Sequence, residues 1–181
     1  MEDLKNIHCE TLDPSTGLRI SLVLLRDVKN CVTLKEKVVS GVLQCCLIKP
    51  VLIADPFQVV VAANKAAISF LSKSMVTKSV YTELLFNLSI SKNISQSLTK
   101  FGVEESDSDV LVATIHSADN DCMHEVIALA DGNVAPIVDL QNIYNVKIIC
   151  KLYKISDLET RAVSLLDSIV SRIATCGFVS L

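Results

Sequence analysis

Apolar residues recur along this chain with two different periods, and the changes of period mark its elements. From Leu18 to Leu25 they alternate: Leu18, Ile20, Leu22 and Leu24 share one face of a strand, and Val23 and Leu25 make the other face partly apolar. Val110 to His116 repeats the pattern, with Val110, Val112 and Thr114 set against Leu111, Ala113 and Ile115. Elsewhere the spacing is mostly helical. Thr33-Leu34-Lys35-Glu36 has the form of a capping box and opens a short helix that Gly41 ends. Val42 to Ile53 is an apolar connection broken by Pro50, which fits either a strand or a buried loop.

The strongest helical signal runs from Asp55 to about Ser74. Asp55 is a good N-cap, because its carboxylate accepts from the free N–H groups of the first turn. Pro56 sits at the first helical position, where a missing N–H costs nothing. Gln58 stands three residues after the cap, placed to close a capping box. Phe57, Val60, Val61, Ile68 and Leu71 follow at helical spacing, and Ala62, Ala63, Ala66 and Ala67 let neighbouring helices approach closely. A second helix is predicted over Val80–Leu88 after a Ser/Thr cap at Thr77-Lys78-Ser79. Ser89 to Lys92 is a polar joint, and Asn93-Ile94-Ser95-Gln96 opens a short helix that Gly102 stops.

Beyond an acidic loop from Glu104 to Asp109, Met123–Ala130 fits a strand or a helix, with helix preferred. Asp139–Tyr144 and Val146–Tyr153 read as short helices, although Val146, Ile148 and Ile149 also suit a strand. Ser156-Asp157-Leu158-Glu159 is a further capping box that starts a long terminal helix through about Ile173. On it, Leu158, Ala162, Leu165 and Ile169 form one stripe, and Val163, Leu166, Val170 and Ile173 a second. Together they span an arc of about 160°, wider than the roughly 100° of a one-sided core helix. Such an arc fits a helix deep in its own core, or one with a stripe inward and a stripe on a partner. Few strands and many helices give an α/β (α+β) fold, one domain over 1–181 with a small mixed sheet and helices packed around it.

Composition sharpens this picture. Half of the residues are apolar but only 4% are aromatic, with no Trp, so the core is built from Val, Ile, Leu and Ala. A mean hydropathy of +0.46 is high for a soluble monomer and leaves room for a partner-binding face. The net charge of −3 argues against general binding to a nucleic-acid backbone. Yet residues 57–103 carry +4, from five lysines against Glu83, and the rest of the chain −7. The N-terminus lacks the apolar core of a signal peptide, and no run of about 18 uncharged apolar residues predicts a membrane span. Seven cysteines, with no Cys-x-x-Cys pair, read as reduced thiols of a cytosolic or nuclear protein.

Catalytic signatures are mostly absent. There is no Gly-rich phosphate loop, no Gly-x-Ser-x-Gly elbow and no His-Glu-x-x-His. His116, Cys122 and His124 are three loosely spaced metal-ligand types without an obvious fourth, and Cys45-Cys46 is a vicinal pair in an apolar stretch. A thiol or metal enzyme is therefore the weakest reading; no catalytic residue, metal or cofactor is assigned.

Several runs together resemble a known family. They are Ala54-Asp55-Pro56-Phe57-Gln58 through Ala62-Ala63-Asn64-Lys65-Ala66, then Glu83-Leu84-Leu85-Phe86-Asn87-Leu88-Ser89, Asn93-Ile94-Ser95 and Lys100-Phe101-Gly102. Leu24-Leu25-Arg26-Asp27-Val28-Lys29-Asn30 and Lys154-Ile155-Ser156 extend the match over nearly the whole chain. They resemble the PRPK-binding proteins, the kinase-binding subunits of the KEOPS (EKC) complex, and more weakly their archaeal and yeast counterparts. The resemblance implies a non-catalytic subunit and a single α/β domain. The complex installs threonylcarbamoyl on the adenosine beside the anticodon of tRNAs that read codons beginning with A. The subunit docks on the small lobe of the atypical kinase/ATPase PRPK, meets other subunits indirectly and helps hold the tRNA 3′ CCA end. It implies residence in cytoplasm and nucleus and no membrane.

Set against that resemblance, the wide terminal arc nominates Leu166, Val170 and Ile173 for kinase docking, framed by Arg161 and Arg172. For a single-stranded tRNA end, Lys65, Lys78 and Lys92 offer charge, Asn64, Asn87 and Asn93 hydrogen bonds, and Tyr81 or Phe86 a stacking ring, with packing and capping favoured for Phe86 and Asn93. Archaeal relatives carry Ser-Gly-x-Arg-Gln-Ile where this chain has Ser89-Ile90-Ser91-Lys92-Asn93-Ile94. Lys92 keeps the charge of the arginine and loses its planar fork. A stand-alone tRNA-end binder is the alternative function.

Overall fold

The computed structural model describes residues 6–118 and 120–177. The ends of the expected domain, residues 1–5 and 178–181, lie outside the described residues, as does the expected N-terminal stretch without a leader.

Two central strands carry the sheet. β2 (Arg19–Arg26) and β4 (Val110–His116) pair antiparallel over seven residues, from Arg19 opposite His116 to Leu25 opposite Val110. Ile20 to Leu25 and Val110 to His116 are buried throughout, and all but Ser21, Thr114 and His116 are apolar, so each strand can be covered on both faces. β3 (Cys46–Ile48) adds to the outer edge of β4. β1 (His8–Thr11) and β5 (Asn133–Ala135) share the other edge of β2. All these pairings are antiparallel, so the sheet expected as mixed is antiparallel among the described residues.

Strand parity then sorts the helices. Val23, Leu25, Leu47, Val110 and Val112 face α1 (Cys31–Val39) and α5 (Met123–Leu129), which contribute Leu34, Met123 and Val126. Leu22, Leu24, Ile48, Leu111 and Ala113 face the larger helical layer. It contains α2 (Pro56–Leu71), α3 (Val80–Leu88), α4 (Ile94–Phe101), α6 (Val146–Tyr153) and α8 (Leu165–Thr175). α7 (Asp157–Ala162) buries no residue.

Several caps differ from the local pattern. Asp55 accepts from the Phe57 N–H at 2.8 Å, as a cap should. Gln58 does not close the box on Asp55; its Oε1 accepts from Ala54 N–H at 3.0 Å and its amide turns into the core. The first helix starts at Cys31, before Thr33, and Asn30 at its start bonds Leu129 and Asp131 across to α5. The apolar connection 42–53 resolves into β3 and a 3-10 turn at Pro50–Leu52. Met123–Leu129 is helical, and the segment around Asp139 is a 3-10 helix, Ile137–Asn142.

The predicted long terminal helix is two helices. Val163 is extended, and Ser164 caps α8 by accepting from the Asp167 N–H at 3.1 Å. The two stripes read across this break are therefore not one arc. Leu158 is 76% exposed and Val163 44%, whereas Ile169 and Ile173 are fully buried.

Candidate functional site

α2 explains its own two faces. Its alanines, Ala62, Ala63, Ala66 and Ala67, are completely buried and bring α3 and α8 close. On the opposite face, Phe57, Val61, Asn64, Ile68 and Leu71 recur at i, i+4, i+7, i+11 and i+14; in the middle of this line Val61 packs on the core and Asn64 holds the β1–β2 turn. Phe57, Ile68 and Leu71 are 52%, 43% and 49% exposed, and Phe70 and Val76 are exposed near the C-terminal end of the helix. The sequence pattern showed these residues but not which side would be left bare. That depended on which neighbours the alanines admit.

The docking residues read from the terminal helix fare unequally. Leu166 and Val170 are half-buried on one flank of α8. Ile173 is a core residue in the cluster with the α2 alanines, so it cannot form part of an open surface in this fold. Arg161 is exposed. Arg172 is turned inward: its two terminal nitrogens donate to the two carboxylate oxygens of Glu159 at 2.6 and 2.7 Å, and one also reaches the Ser168 carbonyl at 3.1 Å. That fork holds α7 against α8. It also holds the Glu159 carboxyl down at about 2 and raises the Arg172 guanidinium. Arg172 therefore fastens the chain to itself instead of framing a partner.

The residues nominated for the tRNA end do not form one patch. Asn64 accepts from the Asp13 N–H at 2.7 Å, pinning the β1–β2 turn. Lys65 donates to the carbonyls of Ile173 at 2.6 Å and Cys176 at 3.0 Å, closing the C-terminus of α8, and burial holds its ammonium below the usual lysine range. Tyr81 donates to the Ile115 carbonyl at 3.3 Å, and burial pushes its phenol up. The amide nitrogen of Asn87 is buried without a partner among the described residues. Lys78 and Lys92 are exposed, but the first precedes α3 and the second follows it, about 13 Å of helix apart. Phe86 is half-buried and Asn93 caps α4 by accepting from Gln96 at 3.0 Å.

A hollow of about 730 Å³ does open along α4, next to Asn93, the residue after Lys92 in the chain. Lys49, Asn93, Gln96, Thr99 and Lys100 line it. Lys49 pairs there with Glu104, leaving Lys100 the freer charge. Lys49 and Lys100 come from different segments of the chain, so spacing alone did not join them.

The residues considered for a thiol or metal centre are otherwise engaged. His116 is buried with Nε2 2.8 Å from Ser21 Oγ and Nδ1 2.7 Å from the Ser117 carbonyl. Cys122 bonds the Gln44 carbonyl, and His124 is exposed. Among the described residues, no group of three or more His, Cys, Asp or Glu is placed to hold a metal ion. Burial pushes the Cys45 thiol up to about 12 and Cys46 well above its ordinary value, which leaves little nucleophilic thiolate. Among the described residues, no helix is long and apolar enough to cross a membrane.

Residues 25–177 match the family model described as kinase binding protein CGI-121. The chain is similar to the EKC/KEOPS complex subunit TPRKB of Danio rerio, 34% identical over 156 residues that cover 86% of this chain and 89% of that protein. It is also similar to EKC/KEOPS complex subunits cgi121 of Aspergillus fumigatus, 28% identical with 81% and 82% covered, and of Schizosaccharomyces pombe, 25% identical with 85% and 93% covered.

Proposed function

This chain belongs to the CGI-121 family of kinase binding proteins, and from that premise we propose that it is a non-catalytic subunit of an EKC/KEOPS complex that docks on a PRPK-type atypical kinase. The observation that carries the reading is the exposure of apolar residues at both ends of α2. Phe57, Ile68 and Leu71 stand on a helix whose other side is sealed by alanines, and their exposure serves no internal packing. Leu166 and Val170, half-buried on one flank of α8, are further docking candidates, with Arg161 nearby in sequence on α7. Such a surface, apolar with a polar rim, suits a kinase lobe better than it suits chemistry. Contacts with other subunits run through the kinase in this reading, and the protein acts in the cytoplasm and nucleus. Co-elution with purified PRPK on a sizing column tests it. Separate elution of the two proteins at micromolar concentration rejects it.

A second, finer role is proposed for the hollow along α4: holding the tRNA 3′ CCA end during threonylcarbamoyl-adenosine modification. Lys100 lines the hollow and supplies charge for phosphate, with exposed Lys92 one residue before the lining Asn93, and Gln96 and Thr99 supply hydrogen bonds for base edges. Asn64, Lys65 and Tyr81 are withdrawn from that role, since each is spent inside the fold. Gel shifts with intact and CCA-trimmed tRNA test it; equal affinity for the two counts against it, and affinity without the kinase would favour the stand-alone binder.

A further inference from the structure

Among the described residues, β1 is an edge strand that pairs with β2 alone. The Leu12 N–H donates to the Leu18 carbonyl at 3.0 Å, so the even-numbered residues of β1 turn their backbone groups toward β2. Cys9 and Thr11 turn theirs outward. Both are exposed, and among the described residues their outward groups have no hydrogen-bond partner. An open edge of this kind is a template for another strand.

The edge is complementary to itself. His8 and Glu10 share one face of β1, with His8 Nε2 3.4 Å from Glu10 Oε1, and line a hollow with Phe57, Val60 and Val138. A two-fold axis through Cys9 sets Cys9 opposite the second copy's Cys9. It also sets His8 opposite the second copy's Glu10, twice. Of the other two-fold registers that use the outward groups, the one centred on Glu10 brings two carboxylates face to face, which is unfavourable, and those centred on His8 or Thr11 set no His8 opposite a Glu10. Phe57 and Val138, 52% and 64% exposed, stand on the same side of the strand as apolar cover.

We infer that the protein pairs with a second copy of itself through β1, antiparallel and in register about Cys9. Four residues of edge bury less than a standard interface, so the dimer is weak, with a Kd on the order of 10⁻⁵ to 10⁻⁴ M.

Sedimentation of the full chain, loaded from roughly tenfold below to tenfold above that Kd, tests this. The average mass is expected to rise from one chain to two. His8→Glu opposes like charges and is expected to weaken the dimer at least ~10-fold. The double variant His8→Glu/Glu10→His exchanges the pair and is expected to regain it. In the unmodified chain, copper(II)-phenanthroline takes two electrons from two facing thiols, which lose two protons and join. Peptide mapping should find Cys9 bonded to Cys9, since a hydrogen-bonded pair holds Cα atoms about 5.5 Å apart, within disulfide range. A monomer at every concentration overturns the inference. So does a dimer indifferent to His8→Glu, a double variant that stays monomeric, or a crosslink that avoids Cys9.

Discussion

The phenol oxygen of Tyr153 lies 3.0 Å from the amide nitrogen of Gln58, and both residues are fully buried. Gln58 donates there and to the Leu52 carbonyl at 3.1 Å, while Tyr153 donates to the Leu88 carbonyl at 2.6 Å. The Tyr153 ring also meets Phe101, centroids 6.4 Å apart. Four segments of the helical layer therefore meet at one node: α6 through Tyr153, α2 through Gln58, the end of α3 through Leu88 and α4 through Phe101. A core of aliphatic residues has no directional contacts of its own. This node gives the layer a register.

Removing that hydroxyl should be felt in stability. Tyr153→Phe leaves the buried Leu88 carbonyl without its donor and Gln58 with one partner fewer, a loss of about 1–3 kcal/mol. Urea unfolding of the two proteins measures it. An unchanged midpoint would mean that the node contributes no net stability.

The Glu159–Arg172 fork predicts an acid-sensitive stability contribution. Glu159 titrates at about 2 in the fold, below its ordinary 4.5, because Arg172 bonds both oxygens. With the folded value lowered, the contribution is full above pH 4.5 and disappears as pH falls toward 2. Thermal unfolding of the protein and of Glu159→Gln should therefore differ at pH 6 and converge between pH 4.5 and 2. A gap that stays constant over that range contradicts the assignment. Because both groups lie near the surface, the gap should also narrow in high salt.

If α2 and α8 form the kinase-docking face, charge placed on it should act on binding alone. Ile68→Asp and Val170→Asp are each expected to weaken the kinase complex by ~10-fold or more, with the fold intact by circular dichroism. Ile173→Asp is expected to destabilise the protein itself, because Ile173 sits in the core. Calorimetric titration with purified kinase separates these outcomes. Full affinity in both surface variants would move the docking face elsewhere.

For the tRNA end, Lys92→Glu and Lys100→Glu should each lower affinity and reduce the salt slope by ~0.7, the share of one single-strand phosphate contact. Lys65→Glu should instead loosen the end of α8, since its ammonium bonds the carbonyls of Ile173 and Cys176. Filter binding across a salt series, beside melting curves, distinguishes the two effects. Lysine variants that bind like the parent would remove the hollow along α4 from the proposal.

Much of the fold is written locally and can be read without coordinates. Asp55, Ser79, Asn93 and Ser156 do cap helices, since a cap bonds an N–H two or three residues away. The two central strands announce themselves because burial on both faces demands apolar runs such as Leu22–Leu25 and Val110–Ala113. β1 and β5 were missed because strands of four and three residues with polar positions carry almost no period. The break at Ser164 was missed because stripes on either side of it happen to continue in phase.

What the sequence by itself determined is therefore the two central strands and the capped helix starts, the family to which the chain belongs and the presence of spare apolar surface. Only the tertiary structure decided where side chains are spent. Asn64 serves residue 13, Lys65 serves residues 173 and 176, and Gln58 serves residue 153. Each of those bonds joins groups at least fifty residues apart, so no window of sequence contains both partners. The same holds for the face of α2: its spacing is visible in the sequence, but its ends are bare only because α3 and α8 settle on the alanines behind it.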